Sequence, residues 1–440
     1  MAEPARILGA MFQGGGNVQL IMPIMTRLVE RGHSVRIIAG PGVRPSNLPL
    51  SPDLVHRISS AGATLVPFRI PDLHPLDAAP PSKGVLGSWV PAGFKSLPGE
   101  ARTAAWATAW SLQVAQELQT APADVVVADF VLLGALVAAE ASRVPSVALM
   151  HTVAVRPLSG IPPYGPGWLP ARGPIGHARD ALGRAIVNYV YRRNALPALN
   201  DARAVLGLAP LCSPFTQYDL ATRVLMLASA AFDHCGQCLP ANFRHVGTPI
   251  EDRGASWVTP WEATDRRPLI VVSLSTLNQG QATLMQRILA AVAALKETRI
   301  LVTLGPVLDA ADFALPPNVR VERFVPHSAV LPKAAVMVTQ CGLGTVAKAM
   351  TCGVPLLCIP LLGDQPDNAA RVVARGAGIR LQRDVEPREI LVAIRRLLTE
   401  PGFREAASAL ATKMRQEEDA AQRAVCEIEA VFPSKPLAFR

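Results

Sequence analysis

The stretch from Val336 to Leu381, VMVTQCGLGTVAKAMTCGVPLLCIPLLGDQPDNAARVVARGAGIRL, limits what the rest of the chain can be. Its apolar run Val336–Val338 predicts a buried strand. The run breaks into Thr339-Gln340-Cys341-Gly342-Leu343-Gly344-Thr345, and a helical pattern continues through Met350. A strand that feeds a glycine-bearing turn and a helix offers backbone N–H groups and a positive helix end, which attract phosphate. A second apolar strand, Leu356–Ile359, stops at Pro360; Asp364-Gln365 then precede another helix, Asn368–Arg375. Open α/β sheets bind ligands at the carboxyl ends of parallel strands. Asp364 and Gln365 fall at such an end, on the same rim as the phosphate cradle. A sugar joined to a diphosphate fits that pairing.

These residues resemble the donor signature of nucleotide-sugar glycosyltransferases of the GT-B fold. The resemblance is to family 1, which transfers sugars from UDP- or dTDP-sugars to small lipophilic molecules, macrolides and other natural products among them. The family form reads roughly His-Gly-Gly-x-Gly-Thr-x-x-Glu-Ala, then Gly-Val-Pro, then Asp-Gln-x-x-Asn-Ala. The chain has Gln340-Cys341-Gly342-Leu343-Gly344-Thr345, Lys348-Ala349, Gly353-Val354-Pro355, and Asp364-Gln365 with Asn368-Ala369. Gln340 replaces the family's histidine and Lys348 its glutamate. The resemblance implies an α/β architecture of two Rossmann-like, doubly wound domains facing each other across a cleft.

A length of 440 residues accommodates two or three domains. An N-terminal acceptor-binding domain is expected over 1–240, a linker over 241–267 and a donor-binding domain over 268–440. The last helix is a candidate to pack back on the first domain. No run of 18 apolar residues occurs, so no membrane span is expected. The first residues enter a strand pattern and do not resemble a secretory leader, which points to a cytoplasmic protein. Seven scattered cysteines suit reduced thiols. Cys235-x-x-Cys238 beside His234 lacks the second pair that zinc requires, and no metal is expected. The net charge of +9 suits an anionic donor and is compatible with peripheral membrane contact. Its basic residues are spread without aromatic interleaving, which argues against nucleic acid.

Arg6–Phe12 reads as the first strand, followed by Gln13-Gly14-Gly15-Gly16-Asn17, a helix to Arg31 and a second strand, Ser34–Ala39. Gln19 occupies the place of the third glycine or alanine of a dinucleotide fingerprint, and no acid closes the second strand, so NAD is not expected. The segment resembles instead the family's entry loop, Gly-His-x-x-Pro, whose histidine is the catalytic base. Asn17 stands at that histidine, and a neutral amide cannot take a proton. Ala123–Asp129 predicts a strand ending in a carboxylate; by resemblance Asp129 is the acid that orients the base. His151 follows the next strand at the same carboxyl edge and is a candidate substitute base. His33 reads as a capping or surface histidine. Two proline- and glycine-rich stretches, 67–98 and 153–174, predict long loops. Such loops line the acceptor pocket in the family, so Trp89, Tyr164 and Trp168 are either its apolar walls or ordinary loop aromatics.

In the second half, resemblance places Ser275 and Thr276 on a loop facing the donor phosphates. It places Phe324 and Val325 at the nucleobase, where the Phe324 ring is either a stacking face or a core residue. Gly342, Gly344 and Thr345 are expected to donate to the leaving diphosphate, and the amide of Gln340 can donate as well. The family's glutamate grips ribose hydroxyls; Lys348 can donate to them but cannot accept. Asp364 and Gln365 are expected to hold sugar hydroxyls. The implied activity is inverting transfer, in one displacement, from a nucleoside-diphosphate sugar to a small lipophilic acceptor, with no cofactor beyond that co-substrate. Natural-product or antibiotic biosynthesis is the implied setting. The changes at Asn17 and Lys348 leave an alternative, a catalytically idle relative that binds a ligand or a partner.

Overall fold

The computed structural model describes residues 3–14, 16–40, 50–69, 94–95, 97, 101–234, 239–250, 256–275 and 278–433. Two parallel sheets organise them. The first has seven strands: β1 (Arg6–Phe12), β2 (Ser34–Gly40), β3 (Thr64–Pro67), β4 (Val125–Asp129), β5 (Ser146–Met150), β6 (Arg223–Met226) and β7 (Phe243–His245). Their order is β3-β2-β1-β4-β5-β6-β7. The second has six: β8 (Leu269–Ser273), β9 (Arg299–Thr303), β10 (Val319–Glu322), β11 (Ala334–Thr339), β12 (Leu356–Cys358) and β13 (Gly378–Arg380). Their order is β10-β9-β8-β11-β12-β13. The central strands are buried throughout, as in β4 and β8, because helices cover both faces.

Each sheet reverses its winding once, between β1 and β4 in the first and between β8 and β11 in the second. Such points leave a crevice at the carboxyl ends of the strands. β1 runs out at Phe12, β4 at Asp129, β5 just before His151, β8 just before Leu274-Ser275 and β11 just before Gln340. The two-domain GT-B architecture expected from the sequence is therefore the one observed.

The expected boundaries shift in places. β7 belongs to the first sheet, which runs to His245 rather than ending at 240. Among the described residues the longest helix is Gly173–Asn194, whose buried residues follow a sparse pattern: Asp180, Gly183, Val187 and Val190. The chain's end carries two helices, Pro401–Gln416 and Ala420–Glu429. Asp419 separates them, its carboxylate accepting the N–H groups of Ala421 and Gln422.

The last helix crosses back to the first lobe. Ala424, Val425 and Ile428 join the core formed by Ile7, Ile21 and Leu28. Glu429 accepts from Arg31 at 2.7 Å and lies 2.9 Å from His33 Nε2. His33 is thus not a surface residue. It is 4% exposed, and its Nδ1 accepts the N–H of Ala5. Among the described residues, no helix is long and apolar enough to cross a membrane.

Candidate active site

The two crevices open into one cavity of about 370 Å³, walled by both lobes. Thirteen of the sequence-predicted residues line it: Asn17, His151, Tyr164, Ser275, Phe324, Val325, Gln340, Gly342, Gly344, Thr345, Lys348, Asp364 and Gln365. Asp129 lies just beneath its surface, 1% exposed. Trp168 is elsewhere: it packs edge-on against Phe94, with the Arg179 guanidinium over its ring. Trp89, Thr276, Cys235 and Cys238 lie outside the described residues.

Asp129 sits between two side chains. Its Oδ2 accepts Asn17 Nδ2 at 2.9 Å, and its Oδ1 lies 3.2 Å from His151 Nε2. The latter contact is close enough for an ion pair but off line for a full hydrogen bond. The second hydrogen of Asn17 Nδ2 goes to the Phe12 carbonyl at 3.0 Å. Burial disfavours the charged form of His151, but the Asp129 carboxylate and, across the cleft, Asp364 outweigh it, so its pKa is raised above the ordinary 6.5. Asp364 moves up as well, because burial outweighs its bond from Asn368 and the nearby imidazole.

The loop after β11 is held from behind. Asn368 Nδ2 donates to the Cys341 carbonyl at 2.9 Å and to Asp364 Oδ2 at 2.7 Å. Cys341 takes a φ of 72°, a region costly for any residue with a Cβ. It occupies a position where the family form has glycine. Gly342 is the N-cap of the Leu343–Thr351 helix, whose first N–H groups face the cavity rim. Gly344 touches the opposite lobe: a Cβ there would lie 3.5 Å from Leu20. Gln365 is less free than its sequence position implies. Its Oε1 accepts the N–H groups of Leu361 and Leu362, and its Nε2 donates to Gln279 at 2.9 Å. Phe324 projects as an aromatic face, 70% exposed, while Val325 behind it is buried.

Sequence reasoning missed the other half of the cavity. Phe12, Phe130, Tyr191, Phe215 and Tyr218 supply aromatic walls on the first lobe. They come from separate elements and carry no local motif. It also missed the contacts between lobes. Asp367, on the Gln365–Ala374 helix, accepts the N–H groups of Gly165 and Gly167. Arg371, one turn on, donates to Asp233 at 2.8 Å, and Asp233 lies 3.0 Å from His245. Arg371 and His245 hold the Asp233 carboxyl well below its usual range despite burial. Spacing within the Asp364–Ala369 segment gives no sign of partners some 200 residues away.

Residues 286–429 match the family described as the C-terminal domain of erythromycin biosynthesis protein CIII-like chains. Among curated proteins, 4'-demethylrebeccamycin synthase of Lentzea aerocolonigenes is 29% identical over 413 residues, covering 91% of this chain and 93% of its own. Among solved structures, the calicheamicin glycosyltransferase CalG4 superposes with a TM-score of 0.70 at 22% identity, covering 98% of each chain. The glycosyltransferase VinC, solved with dTDP, superposes at 0.65 and 20% identity, covering 97% of this chain and 99% of its own. The fold is that of the GT-B glycosyltransferases. The match over residues 286–429 and the similarity to 4'-demethylrebeccamycin synthase indicate a family 1 natural-product glycosyltransferase.

Proposed function

We propose that this enzyme transfers a sugar from a nucleoside-diphosphate donor to a small lipophilic acceptor with inversion, and that His151 receives the acceptor's proton. The observation that carries the reading is the shared Asp129 carboxylate, which holds Asn17 on one oxygen and faces His151 with the other. A carboxylate beside an imidazole orients it and stabilises the imidazolium formed on proton transfer. Asn17, fixed in the family base's place, offers no basic atom.

The donor would lie along the second lobe. Its diphosphate would meet the N–H groups at the start of the Leu343–Thr351 helix, the Gln340 amide and the Lys348 ammonium. Its base would stack on Phe324. Asp364 would accept from sugar hydroxyls, with Gln365 shaping the loop beside it. The aromatic walls of the first lobe suit a flat apolar acceptor. Attack on C1 from the first lobe, with departure toward the second, is an in-line displacement, and holding both partners in line is the main task.

The test is a donor panel of UDP-, dTDP- and GDP-sugars against lipophilic phenols and amines, read as nucleoside diphosphate release and product anomer. His151→Ala should lower kcat by about 10²–10⁴, the usual worth of a proton-transferring group. Tight nucleotide binding with no release from any pair would replace this reading with that of an idle relative.

A further inference from the structure

We infer that the acceptor presents a nitrogen nucleophile, a neutral aromatic amine, and that Asn17 Oδ1 holds one of its hydrogens. The inference rests on the glycosyl-transfer reading above and adds the atom that attacks.

Asn17 lines the cavity and is 3% exposed. Both hydrogens of its Nδ2 are committed, one to the Phe12 carbonyl and one to Asp129. Its Oδ1 has no hydrogen-bond partner. The amide cannot be turned over, because Oδ1 would then face a carbonyl and a carboxylate, both acceptors. A buried acceptor fixed in this way is completed by a donor. Gly14 keeps the backbone from crowding that buried atom: a Cβ there would come within 2.8 Å of Oδ1 and 2.3 Å of the Phe12 ring.

The chemistry of the donor follows from what Asn17 cannot do. A hydroxyl has one hydrogen. Held by Asn17, that hydrogen stays on oxygen and is kept from His151. An amine differs in two ways. Its lone pair attacks with its hydrogens still in place, so no base is needed beforehand. It also has a hydrogen to spare, so one N–H binds Oδ1 while another remains available. The lone pair forms the N–C1 bond as the C1–O bond breaks, and the nucleoside diphosphate leaves with that electron pair. Nitrogen becomes positive, and its excess proton passes to the neutral imidazole of His151. An aromatic amine is uncharged near neutral pH and suits the rings of Phe130, Tyr191 and Phe215.

The experiment pairs a chloroaniline with the chlorophenol of the same substitution, using the full-length enzyme and the donor panel. Product mass and nucleoside diphosphate release are followed. The wild type should favour the aniline in kcat/KM by about tenfold or more, the worth of one buried hydrogen bond. Asn17→Leu should erase that preference, and Asn17→His should reverse it toward the phenol by restoring a base. Faster phenol transfer by the wild type, or an unchanged ratio in Asn17→Leu, overturns the inference and leaves glycosyl transfer standing. No release with either acceptor overturns both.

Discussion

The Asp367 carboxylate accepts the backbone N–H of Gly165 at 2.7 Å, across the cleft and 202 residues away. Gly167 N–H joins it at 3.1 Å, and Arg380 donates to the Gly167 carbonyl. The loop so held carries Tyr164 into the cavity, and the helix that holds it starts at Gln365. The cavity wall of the first lobe and the Gln365–Ala374 helix of the second are therefore tied directly. Above about pH 7, where the carboxyl is ionised, Asp367→Asn should raise the acceptor KM by roughly tenfold while leaving nucleotide affinity nearly unchanged, given that charge-assisted bonds exceed neutral ones. Gly167→Ala should do the same from the other side. Its φ is 62°, and an added Cβ would lie 2.3 Å from the Pro366 carbonyl oxygen. Steady-state kinetics with each substrate varied separates these outcomes.

The same residue gives the fold a pH dependence. Burial pushes the Asp367 carboxyl up to about 7 from its usual 3.8, in spite of Arg371 and the two N–H groups. Between those values the folded chain retains a proton that the unfolded chain releases. This contribution to stability is complete below the unfolded value and is lost as pH rises through about 7. Wild-type Tm should thus fall more between about pH 5 and about pH 8 than that of Asp367→Asn.

The proposed role of His151 as proton acceptor implies a sign for the rate profile. A proton acceptor works in its neutral form, and Asp129 with Asp364 favours the charged form. The acidic limb of kcat should therefore lie above the ordinary 6.5 of histidine. Asp129→Asn should move that limb downward and lower the plateau. A limb that stays in place in this variant would mean that another group titrates.

Phe324 tests the nucleotide end. An aromatic ring that is 70% exposed contributes little to the core. Phe324→Ala should leave the Tm of the free protein within about a degree, since surface changes are usually small. Nucleoside diphosphate Kd should rise roughly tenfold, the scale of one lost base–ring stack. Calorimetric titration with UDP and dTDP measures it.

Glu429 tests the attachment of the last helix. Arg31 and His33 hold its carboxyl below the usual 4.5, outweighing burial. The stability this provides is present above the unfolded value and is lost as pH falls through the folded one. Glu429→Gln should cost about 1 kcal/mol near neutral pH, the scale of a partly exposed ion pair. That corresponds to roughly 2–4 °C in Tm, and the difference should close in acid.

What could be read in advance was whatever lies close together along the chain. The strands are short apolar runs, and most of the proposed donor residues fall within one segment, 340–369. Contacts made at a distance left no such mark. Asp367 falls at an unspecified position of its motif, and its partners are bare backbone N–H groups. Gln365 carries the expected residue type, yet Gln279 and two backbone groups occupy its amide. His33 looked exposed because its partner, Glu429, lies at the other end of the sequence. The helix Gly173–Asn194 was hidden by exposed Ile175, Leu182 and Tyr189, which blur its periodicity.

The return of the final helix to the first lobe has a mechanical result. Its predecessor, Pro401–Gln416, packs with the second lobe through Ala407 and Leu410. The backbone therefore passes between the halves twice, after β7 and again near Asp419. With the Asp367 and Arg371 contacts across the cleft, the two passages fasten the halves to each other at several separate places. Removing any one of them leaves the remaining fastenings in place.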